Sequence, residues 1–284
     1  MNTTISISGP ICIISDLHLS NDKPFTLNVF RSFLQLVIKK SNSLIMLGDI
    51  FDFWIGDDIV KFSYPWIDSV INGIRNTAKK IPIWIGRGNR DFLIGNELAS
   101  ILNAKLLPEL AILDTDLGYV AVSHGDEFCL QDRSYQYFRS IVRDSEWQKR
   151  FLEQSISERL NAAKEFRHKS NQENQKKSND IMDVSLEAIQ SFFENSKANI
   201  LIHGHTHRPG KHIYKINDRK CERWVLPDWE FDYENIEKGG GIFIENNSIK
   251  ILQINSRGKL SKINESNFKN KDLSTTSSSC YRSV

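Results

Sequence analysis

Five short apolar runs, rich in β-branched side chains, each break off into polar residues or glycine: ICIISD (11–16), SLIMLGD (43–49), IPIWIGRGN (81–89), GYVAVSHGD (118–126) and ANILIHGH (198–205). Runs of this length bounded by breakers predict buried strands. Between the first three the apolar residues switch to helical spacing. Phe30, Phe33, Leu34, Val37 and Ile38 share one face, and Trp66, Ile67, Val70, Ile71 and Ile74 share another. Alternation of strand and helix predicts an α/β layered fold with largely parallel strands. Residues 133–193 carry no strand pattern and read as a helical insertion. After Gly210 the pattern turns to hairpins, with ENNS as a turn between two alternating runs. Beyond Ser256 the chain is rich in Ser, Lys and Asn, which predicts a disordered tail over 257–284. The expected organisation is a core over 1–132 and 194–256 interrupted by the helical segment 133–193.

Composition narrows the function classes. With 284 residues and 40% hydrophobic content the chain can bury a sizeable core. A net charge of +2 gives no overall pull toward nucleic acid. The Lys/Arg-dense stretch 143–177 shows no aromatic stacking pattern and the chain has no overall basic charge, so no nucleic-acid partner is expected. No apolar run approaches the roughly 20 residues of a membrane span, and the N-terminus lacks the pattern of a secretory signal. The four cysteines, Cys12, Cys129, Cys221 and Cys280, show no C-x-x-C spacing and read as reduced thiols of a cytosolic protein.

The strand ends carry the chemistry. The first delivers Asp16 and His18, the second Asp49, the third Asn89, the fourth His124, and the fifth His205 and His207. Sites in open α/β sheets form outside the carboxyl ends of strands, so these side chains are expected to converge. Two Asp, one Asn and four His with no Cys suit Mn²⁺, Fe²⁺, Co²⁺ or Zn²⁺. Seven ligands suit two ions if a carboxylate bridges them, an arrangement used for phosphoester hydrolysis.

The ordered motifs D-x-H, GD, GN, HGD and GHTH resemble the calcineurin-like metallophosphoesterase superfamily. The longer stretches DLHLS, GDIFDFWIGDD, GNRDFLIG, HGDEFC followed by YQYFR, IMDV, and HGHTHRP resemble, within it, the UDP-2,3-diacylglucosamine diphosphatase family of lipid A biosynthesis. The resemblance covers about residues 11–254. It implies a two-sheet αββα sandwich with the helical insertion as a lid. It also implies hydrolysis of UDP-2,3-diacylglucosamine to UMP and 2,3-diacylglucosamine 1-phosphate, with metal-activated water attacking the α-phosphorus. Asp16, His18 and His207 would hold one divalent cation, Asn89, His124 and His205 a second, with Asp49 bridging; Mn²⁺ is the expected ion. Asp49, Asn89, Arg90 and His124 would be catalytic. Asn89, Arg90, Asp132, Ser170, Asn174, Lys177 and His205 would contact substrate. The lipid-linked UDP-sugar implies a cytoplasmic protein, peripheral on the inner membrane. Two other readings stay open: a cyclic-nucleotide or general phosphodiesterase, and a non-catalytic scaffold of the same fold.

Several residues remain to be placed. Arg90 stands where many phosphoesterases carry a histidine acid, and a guanidinium releases no proton at neutral pH. Arg87 replaces a histidine common in the family, with an expected effect on hydrogen bonding beside the second cation. His203 is expected to be a packed or supporting histidine. Asp52, Asp57 and Asp58 either orient ligands or cap a helix, and His168 and His212 lack a supporting constellation. Phe138, Trp147, Phe151 and Phe166 are among the insertion's apolar residues. A cap cannot bury all of these on itself, which predicts an apolar groove for acyl chains.

Overall fold

The computed structural model describes residues 4–174, 181 and 183–262, with only the backbone of Asn171 and Asn174. Lys177 and the side chain of Asn174, both expected to contact substrate, lie outside the described residues, as does 263–284. The chain runs β1 (Thr4–Ser6), β2 (Ile11–Ile14), α1 (Pro24–Lys40), β3 (Ser43–Met46), α2 (Pro65–Ala78), β4 (Ile83–Ile85), α3 (Asn96–Ile101), β5 (Lys105–Leu106), β6 (Leu110–Thr115) and β7 (Gly118–Ser123). It continues through α4 (Arg133–Val142), α5 (Ser145–Leu152), α6 (Ile156–Asn174), α7 (Leu186–Asn195), β8 (Ile200–His203), β9 (Gly210–Ile216), β10 (Arg219–Val225), β11 (Gly240–Glu245), β12 (Ser248–Ile254) and β13 (Leu260–Lys262).

Two sheets form, in the orders β1-β6-β7-β8-β10-β9 and β13-β12-β11-β2-β3-β4-β5. The strands from β2 to β5 are parallel, but both sheets are mixed, because β11, β12 and β13 in one and β6–β7 and β9–β10 in the other pair antiparallel. Period-two alternation assigns each strand's residues to a layer. Ile11, Ile13, Ile45, Trp84, Val120, Val122 and Ile202 meet between the sheets. Cys12, Ile14, Leu44, Met46, Ile83 and Ile85 face outward onto α1 and α2. Those helices bury Val29, Phe30, Phe33, Leu34 and Val37, and Ile67, Val70, Ile71 and Ile74, as their spacing predicts; Ile38 and Trp66 are half-buried. The result is the two-sheet sandwich with helices on both outer faces.

The segment expected over 133–193 divides. Helices α4 to α6 form a cap, whereas α7 buries Ile189 and Phe193 against Leu201, Tyr214 and Cys221 on the outer face of the first sheet. Its apolar stripe completes the sandwich, so α7 belongs to the core. The tail expected from residue 257 stays ordered to Lys262, because Leu260–Lys262 pairs with β12 and Leu260 packs on the core. The β9–β10 and β11–β12 hairpin turns each place two residues in the left-handed region, Asn217 and Asp218, and Asn246 and Asn247, the geometry favoured in two-residue hairpin loops.

Candidate active site

The loops after β2, β3, β4, β7 and β8 bring the seven predicted ligands together at one edge of the sandwich. The backbone there is tightly bent. Asp16, His18, Asp49, His205 and His207 all have positive φ, between 47° and 66°. Non-glycine residues in this region are uncommon, and each such position costs about 1–3 kcal/mol. Interlocking hydrogen bonds hold the bends: Asp16 N to Gly48 O at 3.1 Å, His18 N to Asp49 O at 2.9 Å, Gly204 N to His124 O at 2.9 Å and Trp229 N to Asp16 O at 3.0 Å. Two glycines permit the close approach. A β-carbon on Gly88 would overlap the Asp49 carboxylate, and one on Gly204 would overlap Ser15 and Asp16.

Asn89 Oδ1 lies 3.0 Å from His124 Nε2 and 2.8 Å from His205 Nδ1. His207 Nε2 is 3.3 Å from His18 Nε2 and 3.4 Å from Asp16 Oδ1. Asp49 stands between the two groups, with Oδ2 3.9 Å from His18 Nδ1 and Oδ1 3.7 Å from His124 Nε2. Ligand atoms of Asp16, His18 and His207, and those of Asp16, Asp49 and His124, lie within 4.8 Å of one another in each set. Asp16 is thus common to both sets.

This donor set fits divalent cations. The two facing Nε2 atoms of His18 and His207 cannot both carry protons, and every converging atom is oxygen or nitrogen, as borderline first-row ions prefer. Burial pushes the Asp49 carboxyl up to about 7, with His124 opposing and Asp91 and Asp16 adding to the rise. Burial and the nearby His124 hold His205 down at about 4. Asp16 resists the same burial and stays well below the usual carboxylate range because His207 bonds to it and His207, His124 and His18 surround it. Cations would satisfy these deprotonated ligands together.

Other side chains hold the loops. Asp91, fully buried, accepts hydrogen bonds from Gly88 N at 2.7 Å, Asp49 N at 3.0 Å and Ile50 N at 2.8 Å, tying the loop of Asn89 to that of Asp49. Asp126, in the HGD motif, accepts from Tyr135 Oη at 2.5 Å and Arg139 Nε at 2.8 Å. Those two residues are four apart on α4 and so face the same way. They explain YQYFR as the cap's attachment to the His124 loop. Sequence reasoning assigned neither Asp91 nor Asp126, although both stand inside motifs it quoted.

Helix α6 docks on the loop after Asp49. Arg159 donates to both carboxylate oxygens of Asp58 and, at 2.7 Å, to Ile55 O, while Arg167 pairs with Asp52. Asp57 accepts from Gly95 N at 3.0 Å and Leu98 N at 2.8 Å and caps α3. So of the three aspartates, one caps a helix and two anchor the cap. Arg87 donates from Nε to Ile94 O at 2.6 Å, rather than toward the ligands. Its expected influence beside the second cation therefore has no hydrogen bond to act through here. His203 is fully buried, and burial beside Arg223 keeps it neutral, as a packed histidine should be. His168 lies on α6 against Gln172 and His212 on β9; neither joins the ligands.

Beneath the cap lies a cavity of about 480 Å³. Its lining combines His18, Asp49, Asn89, Arg90, His205 and His207 with an aromatic set, Phe92, Phe138, Phe151 and Phe166. The aromatic lining is internally packed, with ring centroids 5.4 Å apart for Phe138–Phe166 and 4.9 Å for Trp147–Phe151. Arg90 donates its backbone N–H to Asp49 Oδ1 at 2.7 Å, while its buried Nε has no hydrogen-bond partner. Asp132 lines the cavity and caps α4, accepting from Tyr135 N at 3.1 Å. Ser170 also lines it. Among the described residues no helix is long and apolar enough to cross a membrane.

Residues 9–209 match the family model for calcineurin-like phosphoesterases. A Bordetella pertussis protein named UDP-2,3-diacylglucosamine hydrolase is 44% identical over 250 residues, spanning 88% of this chain and 97% of that one. Proteins of the same name from Aromatoleum aromaticum, 39% identical over 77% of this chain and 89% of theirs, and from Shewanella piezotolerans, 37% identical over 85% and 96%, are also similar. Among solved structures, an archaeal phosphodiesterase aligns over 89% of this chain and 98% of its own with a TM-score of 0.42 and 13% identity.

Proposed function

The chain belongs to the calcineurin-like phosphoesterase family, and from that premise we propose that it hydrolyses the diphosphate of UDP-2,3-diacylglucosamine, releasing UMP and 2,3-diacylglucosamine 1-phosphate in lipid A biosynthesis. One observation carries this reading: a single cavity of about 480 Å³ is lined both by the polar residues proposed as cation ligands and by aromatic rings. Such a space suits a molecule with a diphosphate at one end and acyl chains at the other. The curated relatives named UDP-2,3-diacylglucosamine hydrolase support the substrate class.

Asp16, His18 and His207 would hold one divalent cation and Asn89, His124 and His205 a second, with Asp49 shared; Mn²⁺ is the ion proposed. Bound there, the pair would supply Lewis-acid charge and lower the pKa of water. The remaining work falls to the chain itself. Arg90 cannot act as an acid, so from the cavity lining it neutralises charge on the diphosphate. Asn89 and His205 face the same phosphates. Asp132 and Ser170 on the cap side, with Asn174 and Lys177, orient the nucleotide sugar. Phe138, Phe151 and Phe166 take up acyl chain, each buried CH₂ contributing about 0.8 kcal/mol.

An acylated substrate of this kind supports a peripheral position at the cytoplasmic face of the inner membrane. The cap exposes Leu152 beside exposed Lys149 and Arg150 and leaves Tyr137 72% exposed, a mixture that suits an anionic lipid surface. Co-sedimentation with anionic but not neutral vesicles is the expected result. For the reaction, turnover with Mn²⁺ in ¹⁸O-water should place the label in UMP. Label in the sugar phosphate would refute attack at the α-phosphorus. Preference for cyclic nucleotides or simple diesters would refute the substrate.

A further inference from the structure

Behind the ligand loops, on the face of the first sheet that packs against α7, Arg223 is buried at 4% exposure. Burying a guanidinium is costly unless its donors are satisfied. Here they meet neutral groups: Nε donates to Tyr214 Oη at 3.0 Å, and Nη1 lies 3.0 Å from His203 Nε2. A guanidinium only donates. His203 Nε2 must therefore accept, which leaves the ring proton on Nδ1. That atom lies 2.9 Å from Gly204 O, a carbonyl that only accepts. The two contacts specify one tautomer without conflict.

The consequence passes through a single peptide. In a trans peptide the carbonyl and the next N–H point in opposite directions, and no cis bond is present. With Gly204 O accepting from His203 Nδ1 and, at 2.8 Å, from Thr206 N, the N–H of His205 points the other way, to Asp16 Oδ2 at 3.0 Å and Oδ1 at 3.2 Å. Gly204 N meanwhile donates to His124 O at 2.9 Å. A turned Gly204–His205 peptide would aim a carbonyl at the Asp16 carboxylate and swing His205 off its left-handed φ of 66°.

We infer that Arg223 is a positioning residue for the metal centre. It sets the tautomer of His203, which fixes the Gly204–His205 peptide and with it the orientation of Asp16 and His205. The inference rests on the proposed reading of Asp16 and His205 as cation ligands, but its first half, the tautomer, does not.

The test pairs ¹⁵N-histidine NMR of the metal-free protein with calorimetric titration of Mn²⁺ alone into wild type, Arg223→Met, Arg223→Lys and Tyr214→Phe. Wild type should show His203 with its proton on Nδ1. Arg223→Met should lose that signature and weaken Mn²⁺ binding about 10–100-fold, the usual effect of removing a group that orients a ligand. Turnover should recover as Mn²⁺ is raised, which a collapsed site would not allow. Arg223→Lys should restore part of the affinity, and Tyr214→Phe should leave tautomer and affinity unchanged. A proton on Nε2 of His203 in wild type would overturn the inference without any variant, and so would wild-type Mn²⁺ affinity in Arg223→Met. Absence of Mn²⁺ binding by wild type would instead overturn the ligand reading, while the tautomer result would still decide the link between Arg223 and His203.

Discussion

The strand-end loops and the cap above them are held in place by different means. At the strand ends backbone groups of Asp16, His18, Asp49 and Gly204 are bonded to neighbouring loops, and buried Asp91 ties the Asp49 and Asn89 loops together. The cap is held by long side chains, Tyr135, Gln136 and Arg139 on Asp126, Arg143 on Gly88 O, Arg159 on Asp58 and Arg167 on Asp52, and by a cluster of aromatic rings. The first construction is stiff and suits chemistry that needs fixed geometry. The second rests on side-chain contacts rather than on interlocked backbone, and suits a surface that must admit and release a lipid. Perturbing one region should therefore damage turnover of every substrate. Perturbing the other should damage recognition of acylated substrate alone.

The sharpest break should come at Asp49. Asp49→Ala removes the carboxylate between the two ligand groups and several kcal/mol of electrostatic stabilisation, so kcat should fall at least about a thousand-fold, with loss of bound metal by elemental analysis. Near-normal Mn²⁺ content and rate in that variant would dissolve the comparison. Asp91→Ala comes next. It leaves three buried N–H groups without their acceptor at a cost of about 1–3 kcal/mol each, so chemical denaturation should show several kcal/mol lost, with weaker Mn²⁺ binding alongside. Asp91→Asn, which keeps one acceptor oxygen, should lie between.

How far the sequence revealed this division depends on the range of the interactions. The convergence of Asp16, His18, Asp49, Asn89, His124, His205 and His207 was legible because a strand end is a local pattern: an apolar run that stops, followed by Asp, Asn or His. The strand β6 was missed although LAILDT is apolar, and β1 and β5 are too short for periodicity to register. Helix α7 read as part of the insertion because its own sequence does not say which surface will receive Phe193. Asp91 and Asp126 were invisible for a similar reason: their partners are distant in sequence or belong to another element. Ser170 could be placed on one face of α6, but its expected companions, the Asn174 side chain and Lys177, lie outside the described residues.

The cap's fastening gives milder predictions. Burial and hydrogen bonding to Arg159 affect Asp58 oppositely, and the bond wins, lowering its pKa. A carboxylate depressed on folding contributes stability above its unfolded pKa and loses it as pH falls toward the folded value. The Asp58–Arg159 link should therefore be intact at neutral pH and fade below the ordinary carboxylate range. A double-mutant cycle of Asp58→Asn and Arg159→Met should show coupling of about 1 kcal/mol at pH 7 that shrinks only below about pH 3. The smallest effect belongs to Arg87→His. Because Arg87 reaches Ile94 O rather than the ligands, kcat/KM should change less than about threefold.

The most direct measurement compares kcat/KM for UDP-2,3-diacylglucosamine and for the unacylated UDP-sugar, in wild type and in a Phe138→Ser, Phe166→Ser variant whose Mn²⁺ content is checked. Each chain carbon buried against the aromatic lining contributes about 0.8 kcal/mol before ordering costs. Wild type should favour the acylated substrate by about a hundred-fold or more, and the variant should lose most of that preference while keeping its rate on the unacylated sugar. Equal kcat/KM on the two substrates in wild type would contradict the claim that one cavity joins the metal ligands to an acyl-binding cap.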